Sequence, residues 1–435
     1  MAKTIVLPHR DTRRAELPNG VTVLTERVPK AKVLSLGVWA EAGSRYEELK
    51  ESGMTHFIQR LAFYGTEKRT AKQITKDISS LGAEVSLETG RDYAAYLANT
   101  TPAKLTGTLD LLADISLHPT LTDSGCAAEQ EKLLGDLRAD DKDADTALER
   151  MFLRSLWKGH GLSRPPHGRL LDFRGEAKVE TFKPKSLQSF HKRSHHPRGL
   201  TVTAAGDLDH DKLLKLVDKL FAPLEEPAKP VSTLVPATRQ FLALRNRSSF
   251  PSARFRVGTE TCAADNPQSE AAAVLNSIIG EGPGSRLARL IRAKKLAAQA
   301  ASSSLLMFSD TGCFSVPVRT SHANISQAIK QVVHQLRDVA TTPVTPAEIT
   351  RAKAFRRDAI YQEVTSPPHC IASLAREERY FQRIAPLEER VDAIEEVTAA
   401  KLRSVASQWF TPYSLSLAVL GKLDGVEITS ANLRW

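Results

Sequence analysis

No stretch of eighteen apolar residues occurs in this 435-residue sequence, so a helical membrane span is not expected. Cysteine is scarce: Cys126, Cys262, Cys313 and Cys370 lie far apart and form no CxxC, which points to free thiols in a reducing compartment. Aromatic residues make up only 6%, too few to interleave with the basic side chains of a nucleic-acid surface. The formal charge of +10 is therefore read as solvated basic surface or preference for an acidic partner, and no nucleic-acid partner is expected. Residues 1–8 lack the apolar core of a signal peptide, so the expected location is cytoplasmic, with export by an unrecognised route as the alternative. The glycine-rich run 280–286 lacks the GxxxxGK[ST] order of a phosphate cradle. His191, His195 and His196 lie close in sequence, but their position before residues 200–205, with Pro197 next to His196, reads as a surface approach to a strand. His160 and His167, in a Gly/Pro-rich loop without spaced carboxylates, carry little signal.

What is present fits a globular protein of more than one core: 41% hydrophobic and 25% charged residues over a length that exceeds a single domain. Proline punctuation at 223, 227, 230 and 236 marks a linker, and the stretches on either side follow one plan. In the first, a strand (33–40) leads to a helix (53–63), then to a helix and hairpin (71–100) and finally a strand (200–205). In the second, a strand (253–258) leads to a helix (268–279), a helix and hairpin (285–319), helical stretches (326–339 and 346–363) and a strand (414–420). The predicted division is residues 1–222, a linker at 223–236, and a homologous domain at 237–435. The predicted fold class is α+β: two homologous domains, each an antiparallel-rich sheet with helices packed on one face.

The chemistry-bearing stretch is residues 53–60, in which His56, Gln59 and Arg60 stand at the spacing of His-x-x-Glu-His. In a working inverted zinc motif the two imidazoles hold the metal and the Glu polarises water. An amide cannot take that proton, and a guanidinium repels a metal ion. Together with residues 17–24, 36–47, 82–86, 92–96 and 200–209, in the right order, this stretch resembles the pitrilysin/insulinase superfamily of inverzincin metallopeptidases, in its short processing-peptidase-like type. The resemblance implies a third ligand position at Asp136 and an outer partner one heptad earlier at Glu129. His56 plus Asp136 would supply two ligands where a catalytic zinc needs three and an open position. Alternatively Arg60 and Asp136 pair with each other, the guanidinium standing where the metal would.

The resemblance also implies a substrate clamp in the second half, an Arg followed seven residues on by a Tyr. Here those positions are Arg292 and Gln299, and Arg292 is read equally well as a solvated residue of a basic helix. The substrate-edge hairpin carries Ser86-Leu87 where relatives place Asn-Ala. The expectation is a degenerate member without zinc: a non-catalytic subunit of a heterodimeric zinc metallopeptidase that shapes the chamber and binds extended peptide by strand addition. Its partner would be a catalytic paralogue with an intact metal motif, or further copies of itself. The alternatives are a structural scaffold like the respiratory-chain core proteins, and a weak zinc-dependent endopeptidase.

Overall fold

The computed structural model describes residues 10–168, 181–225 and 234–434, apart from the side chains of residues 140 and 141. Residues 226–233, which include Pro227 and Pro230 of the expected linker, lie outside the described residues. Along the chain run β1 (Asp11–Glu16), β2 (Thr22–Arg27), β3 (Leu34–Ala40), α1 (Met54–Leu61), α2 (Ala71–Leu81), β4 (Glu84–Thr89), β5 (Ala94–Thr100), α3 (Leu105–Leu117) and α4 (Asp123–Lys142). There follow α5 (Ala144–Leu156), α6 (Pro184–Ser194), β6 (Leu200–Gly206), α7 (His210–Phe221), β7 (Leu242–Asn246), β8 (Ala253–Thr261), α8 (Ser269–Ile279) and α9 (Arg286–Arg292). The last elements are β9 (Ala300–Ala301), β10 (Ser304–Met307), β11 (Gly312–Thr320), α10 (Ile325–Thr341), α11 (Pro346–Gln362), α12 (Pro367–Phe381), α13 (Leu387–Glu395), α14 (Ala399–Trp409) and β12 (Ser416–Gly421).

Two compact units result. The first takes the chain up to Ala139, Arg164–Leu234 and Gln362–Leu387; the second takes Asp140–Ser163, Val235–Tyr361 and Glu388–Trp435. These units do not follow a single cut at 223–236, because α12 belongs to the first and α5 to the second. The reason is apolar burial on the sheets. In the first unit, Ala375 of α12 packs with Trp39 and Ala95, and Cys370 and Ile371 pack with Ala205. In the second, Leu148 and Phe152 of α5 join a core with Ala418 and Leu420 of β12.

The first sheet has the order β1-β2-β6-β3-β5-β4, with β2 and β6 parallel and the other pairs antiparallel. The second has the order β10-β11-β8-β12-β7, again with one parallel pair, β7 with β12. Alternation along β3 divides the faces of the first sheet. Leu34, Leu36, Val38 and Ala40 face a core shared with Leu109, Leu112 and Ile115 of α3 and Val217 and Phe221 of α7. Trp39 faces the opposite side, where α12 lies and where its indole Nε1–H donates to Thr203 Oγ1 at 2.8 Å. The α+β class with two like domains holds, and one helix covers the second face of each sheet.

The histidines after α6 are not a surface feature. His195 and His196 are buried, and His191 donates from Nε2 to Ser116 O at 2.8 Å. The rings of His191 and His195 stack at 4.2 Å, and His195 Nε2 meets Tyr96 OH at 3.1 Å. The end of α6 turns inward instead of over the surface, with His191 reaching α3 and His195 reaching β5 before the Pro197 turn begins. Burial lowers the His191 pKa to about 4 and holds His195 well below its ordinary value of 6.5. Both folded-state values lie below the unfolded one, so the stability they contribute is complete above pH 6.5 and is lost as pH falls toward 4. A melting-temperature series from pH 7.5 to 4.5 should show this acid limb, and His191→Gln should make it shallower; equal slopes would refute the assignment.

Candidate functional site

The first turn of α1 is built before its functional residues are placed. Glu47 caps it from a buried position: Oε2 accepts from Gly53 N at 2.7 Å and Oε1 from Thr55 N at 2.9 Å. These two carboxylate oxygens satisfy N–H groups that the helix itself leaves open. Burial outweighs those hydrogen bonds and raises the Glu47 pKa to about 7. Gly53 has φ +95, and a Cβ there would lie 2.6 Å from Gly168 Cα, so no other residue fits the entry turn. Met54, Phe57, Ile58 and Leu61 bury one face of α1 against Leu133 and Leu137 of α4 and against Phe182 and Phe190. Phe57 meets Phe182 edge-on, centroids 5.4 Å apart. This packing sets α1 beside α4, with His56, Gln59 and Arg60 on its remaining faces.

Gln59 is buried and turned into the sheet. Its Nε2 donates to Ala95 O at 2.9 Å and Glu88 O at 3.2 Å, and its Oε1 accepts from Thr89 Oγ1 at 2.5 Å. The amide therefore ties α1 to the β4–β5 hairpin, and its two donors fix which end is nitrogen. The same bonds fix the His56 tautomer. Thr89 has one hydroxyl proton and gives it to Gln59, so at 3.0 Å His56 Nδ1 is the donor to Thr89 Oγ1 and Nε2 is left as the acceptor. Burial first, then the neighbouring His167 and Arg60, lowers the His56 pKa to about 3, so its ring is neutral. The His167 ring lies 4.5 Å from it, centroid to centroid.

Arg60 reaches across to α4. Its Nε donates to Glu129 Oε1, and its Nη1 to Asp136 Oδ2 at 2.7 Å. Tyr64 OH donates to the other Glu129 oxygen at 2.9 Å. The heptad spacing places Glu129 and Asp136 on one face of α4, two turns apart, where one guanidinium fork spans both. The structure thus brings Arg60, Glu129 and Asp136 together, and the residue expected as an outer partner is a direct partner of Arg60. These donors do not suit a catalytic zinc: a permanent cation occupies the carboxylates, and the base position faces the sheet. Among the described residues, no group of three or more His, Cys, Asp or Glu is placed to hold a metal ion.

The remaining sequence-predicted residues fall in two places. Ser86 and Leu87 sit on β4, the outermost strand of the first sheet, with Ser86 exposed and Leu87 half-buried. In the second unit, Arg292 is exposed at the end of α9 and donates from Nη2 to Pro283 O at 2.6 Å. Gln299 is exposed, and its backbone N–H donates to Arg319 O at 2.8 Å as the chain enters β9. Sequence reasoning missed Thr89 and Tyr64 and set His167 aside. Tyr64, one turn beyond Arg60, carried a helical-spacing signal; Thr89 and His167 arrive from other segments, where nothing in the spacing linked them to α1.

A helix with inverted-zincin spacing, set in the first of two like α+β modules beside a helix carrying the paired acids, defines the class of two-domain metallopeptidase-like proteins. The profile described as Insulinase (Peptidase family M16) matches residues 22–168, and that described as Peptidase M16 inactive domain matches residues 181–355. The chain belongs to peptidase family M16. It is 28% identical to an uncharacterized zinc protease of Mycobacterium leprae over 97% of this chain and 94% of the relative. It is 27% identical to the probable mitochondrial-processing peptidase subunit beta of Schizosaccharomyces pombe, over 97% and 93%. To the mouse cytochrome b-c1 complex subunit 1 it is also 27% identical, over 95% and 87%. Among solved structures, a protease from Helicobacter pylori superposes with TM-score 0.86 at 20% identity, covering 95% of this chain and all of that one.

Proposed function

We propose that this chain is a non-catalytic, peptide-binding subunit of a zinc metallopeptidase, working with a paralogue that keeps an intact His-x-x-Glu-His. In this reading the chain holds no zinc, helps to shape the chamber, and receives extended peptide along β4 by strand addition. The observation that carries it is the Arg60 guanidinium bonded to Glu129 and Asp136, the two acids that the family resemblance assigns to the metal site, with Gln59 turned away into the sheet. β4 supports the peptide-binding part, because it ends the sheet order and no strand among the described residues pairs with its outer side. No described helix is long and apolar enough to cross a membrane. A scaffold role is the second reading, favoured by the likeness to a b-c1 complex subunit. The test combines mass spectrometry of what co-purifies with a peptidase assay on the isolated chain. The expected result is an intact-motif relative among the co-purifying proteins and peptide binding without cleavage. Hydrolysis by the isolated chain that a chelator stops would overturn the proposal, and co-purification with only a large assembly would favour the scaffold.

A further inference from the structure

The two sheets differ at one end, and the difference leaves an edge of the second sheet uncovered. β2 and β7 are counterparts: β2 runs parallel to β6, and β7 to β12. Each pairing closes on a glycine of positive φ, Gly206 (+140) opposite Arg27 and Gly421 (+150) opposite Asn246. The next residue repeats the match, since the Val28 N–H donates to Gly206 O and the Arg247 N–H to Gly421 O, both at 2.8 Å. Counting back from these anchors, Leu244 stands where Thr25 stands in the first sheet. Thr25 is 1% exposed, because β1 pairs along the outer side of β2 and His210, which opens α7, meets its hydroxyl through Nδ1 at 2.8 Å. Leu244 is 45% exposed. No strand among the described residues pairs with the outer side of β7. Where α7 follows β6, the described chain after β12 forms only a 3-10 turn, Ser430–Leu433.

The β7–β12 ladder fixes which backbone groups face outward. Phe241 O accepts from Leu417 N, and Arg247 N donates to Gly421 O, so residues 241, 243, 245 and 247 bond to β12. Leu242, Leu244 and Asn246 turn their N–H and C=O groups the other way. The outermost strand of the first sheet is protected by charge, with Arg13, Arg14 and Glu16 exposed along β1. β7 instead presents an apolar side chain in the middle of its open edge. Arg245, on the opposite face of the strand, is exposed and has no carboxylate within ion-pair distance among the described residues.

We propose that β7 takes an extended segment of a partner protein as an added strand, with an apolar side chain beside Leu244 and a carboxylate beside Arg245. The outward backbone groups of Leu242 and Leu244 supply the hydrogen bonds, and the two side chains, on opposite faces, set the apolar–acidic alternation of the segment. A second copy of β7 fits less well. Two five-residue strands crossing at Leu244 would set Ala243 opposite Arg245 on both sides and leave each guanidinium without a carboxylate. The inference is independent of the reading above, because it concerns an edge of the other sheet from β4.

The test is fluorescence anisotropy with the full chain and a labelled octapeptide of alternating valine and glutamate, compared with its valine–lysine counterpart. The glutamate peptide should bind several-fold tighter than the lysine peptide. Leu244→Pro removes an outward N–H that no ladder bond uses. Its melting temperature should therefore stay within about 2 °C of the parent's, while binding weakens about tenfold or more. Arg245→Glu should reverse the preference between the two peptides. Hydrogen exchange should slow in residues 242–246 when the glutamate peptide is bound. No binding at about 1 mM peptide, equal binding by the parent and the Leu244→Pro protein, or a preference that Arg245→Glu leaves unmoved would each overturn the proposal. Protection confined to residues 84–89 would also overturn it and place the peptide on β4. A concentration-dependent dimer that Leu244→Pro abolishes would overturn it in favour of a second copy of the chain.

Discussion

Replacing Gln59 by Glu, the substitution that rewrites the base of the inverted zincin motif, is expected to destabilise the protein and give no peptidase. Gln59 donates to Ala95 O and Glu88 O, and a carboxylate there would point an acceptor at two acceptors in a buried position. Losing two buried donors and placing a charge beside two carbonyls should cost about 3 kcal/mol. For a unit of this size that is a fall in melting temperature of roughly 6–12 °C. Burial would raise the folded-state pKa of the introduced carboxyl above its unfolded value. The penalty should therefore be full at neutral pH and shrink as pH falls, because a protonated carboxyl can donate one of the lost bonds. Gln59→Met, which removes the donors without adding charge, should cost less than Gln59→Glu at pH 7.5 and show no such pH dependence. Thermal melts of the three proteins at pH 7.5 and 5.5 check this. A Gln59→Glu protein as stable as the parent would mean that the amide does not tie α1 to the hairpin.

The second large effect belongs to Arg60. Glu129 has only 3% of its side chain exposed, and Arg60→Ala would leave it with Tyr64 OH as its described polar partner. Breaking a buried ion pair by removing one member costs about 3–5 kcal/mol, and the 28% exposure of the Arg60 side chain lets water compensate part of it, so about 2 kcal/mol is expected here. Asp136, 61% exposed, should contribute little, and Asp136→Asn should lie within about 0.5 kcal/mol of the parent. Adding Glu129→Gln to Arg60→Ala should recover most of the loss, since it removes the uncompensated charge. Urea denaturation of the single and double variants measures this coupling. A double variant no more stable than Arg60→Ala would show that Arg60 stabilises by packing its stem and not by neutralising Glu129.

Both effects start from residues whose roles were partly readable along the chain. His56, Gln59 and Arg60 announced themselves by spacing. The family resemblance pointed to Asp136 and, one heptad earlier, Glu129, and it left a pairing of Arg60 with Asp136 as an alternative to a metal. The orientation of Gln59 was not readable, because it depends on Thr89, Glu88 and Ala95, which reach α1 only through the sheet. α10 was legible from its helical period, and β3 from the family resemblance. β1 was not: Asp11–Glu16 has no apolar alternation and exists because β2 offers it an edge to pair with. The linear division at 223–236 missed α5 and α12 for a related reason. Periodicity shows that a helix has an apolar face but not which sheet, two hundred residues away, that face will cover. His195 was misread because nearness to a proline says how the backbone runs, not whether α3 and β5 close over the ring.

We propose that this chain holds no zinc, and zinc per chain after native purification in the absence of chelators tests that most directly. Elemental analysis should find well under one zinc per chain, with no change in melting temperature on adding the metal or a chelator. One tightly held zinc per isolated chain, with a melting temperature that falls when a chelator strips it, would contradict the account.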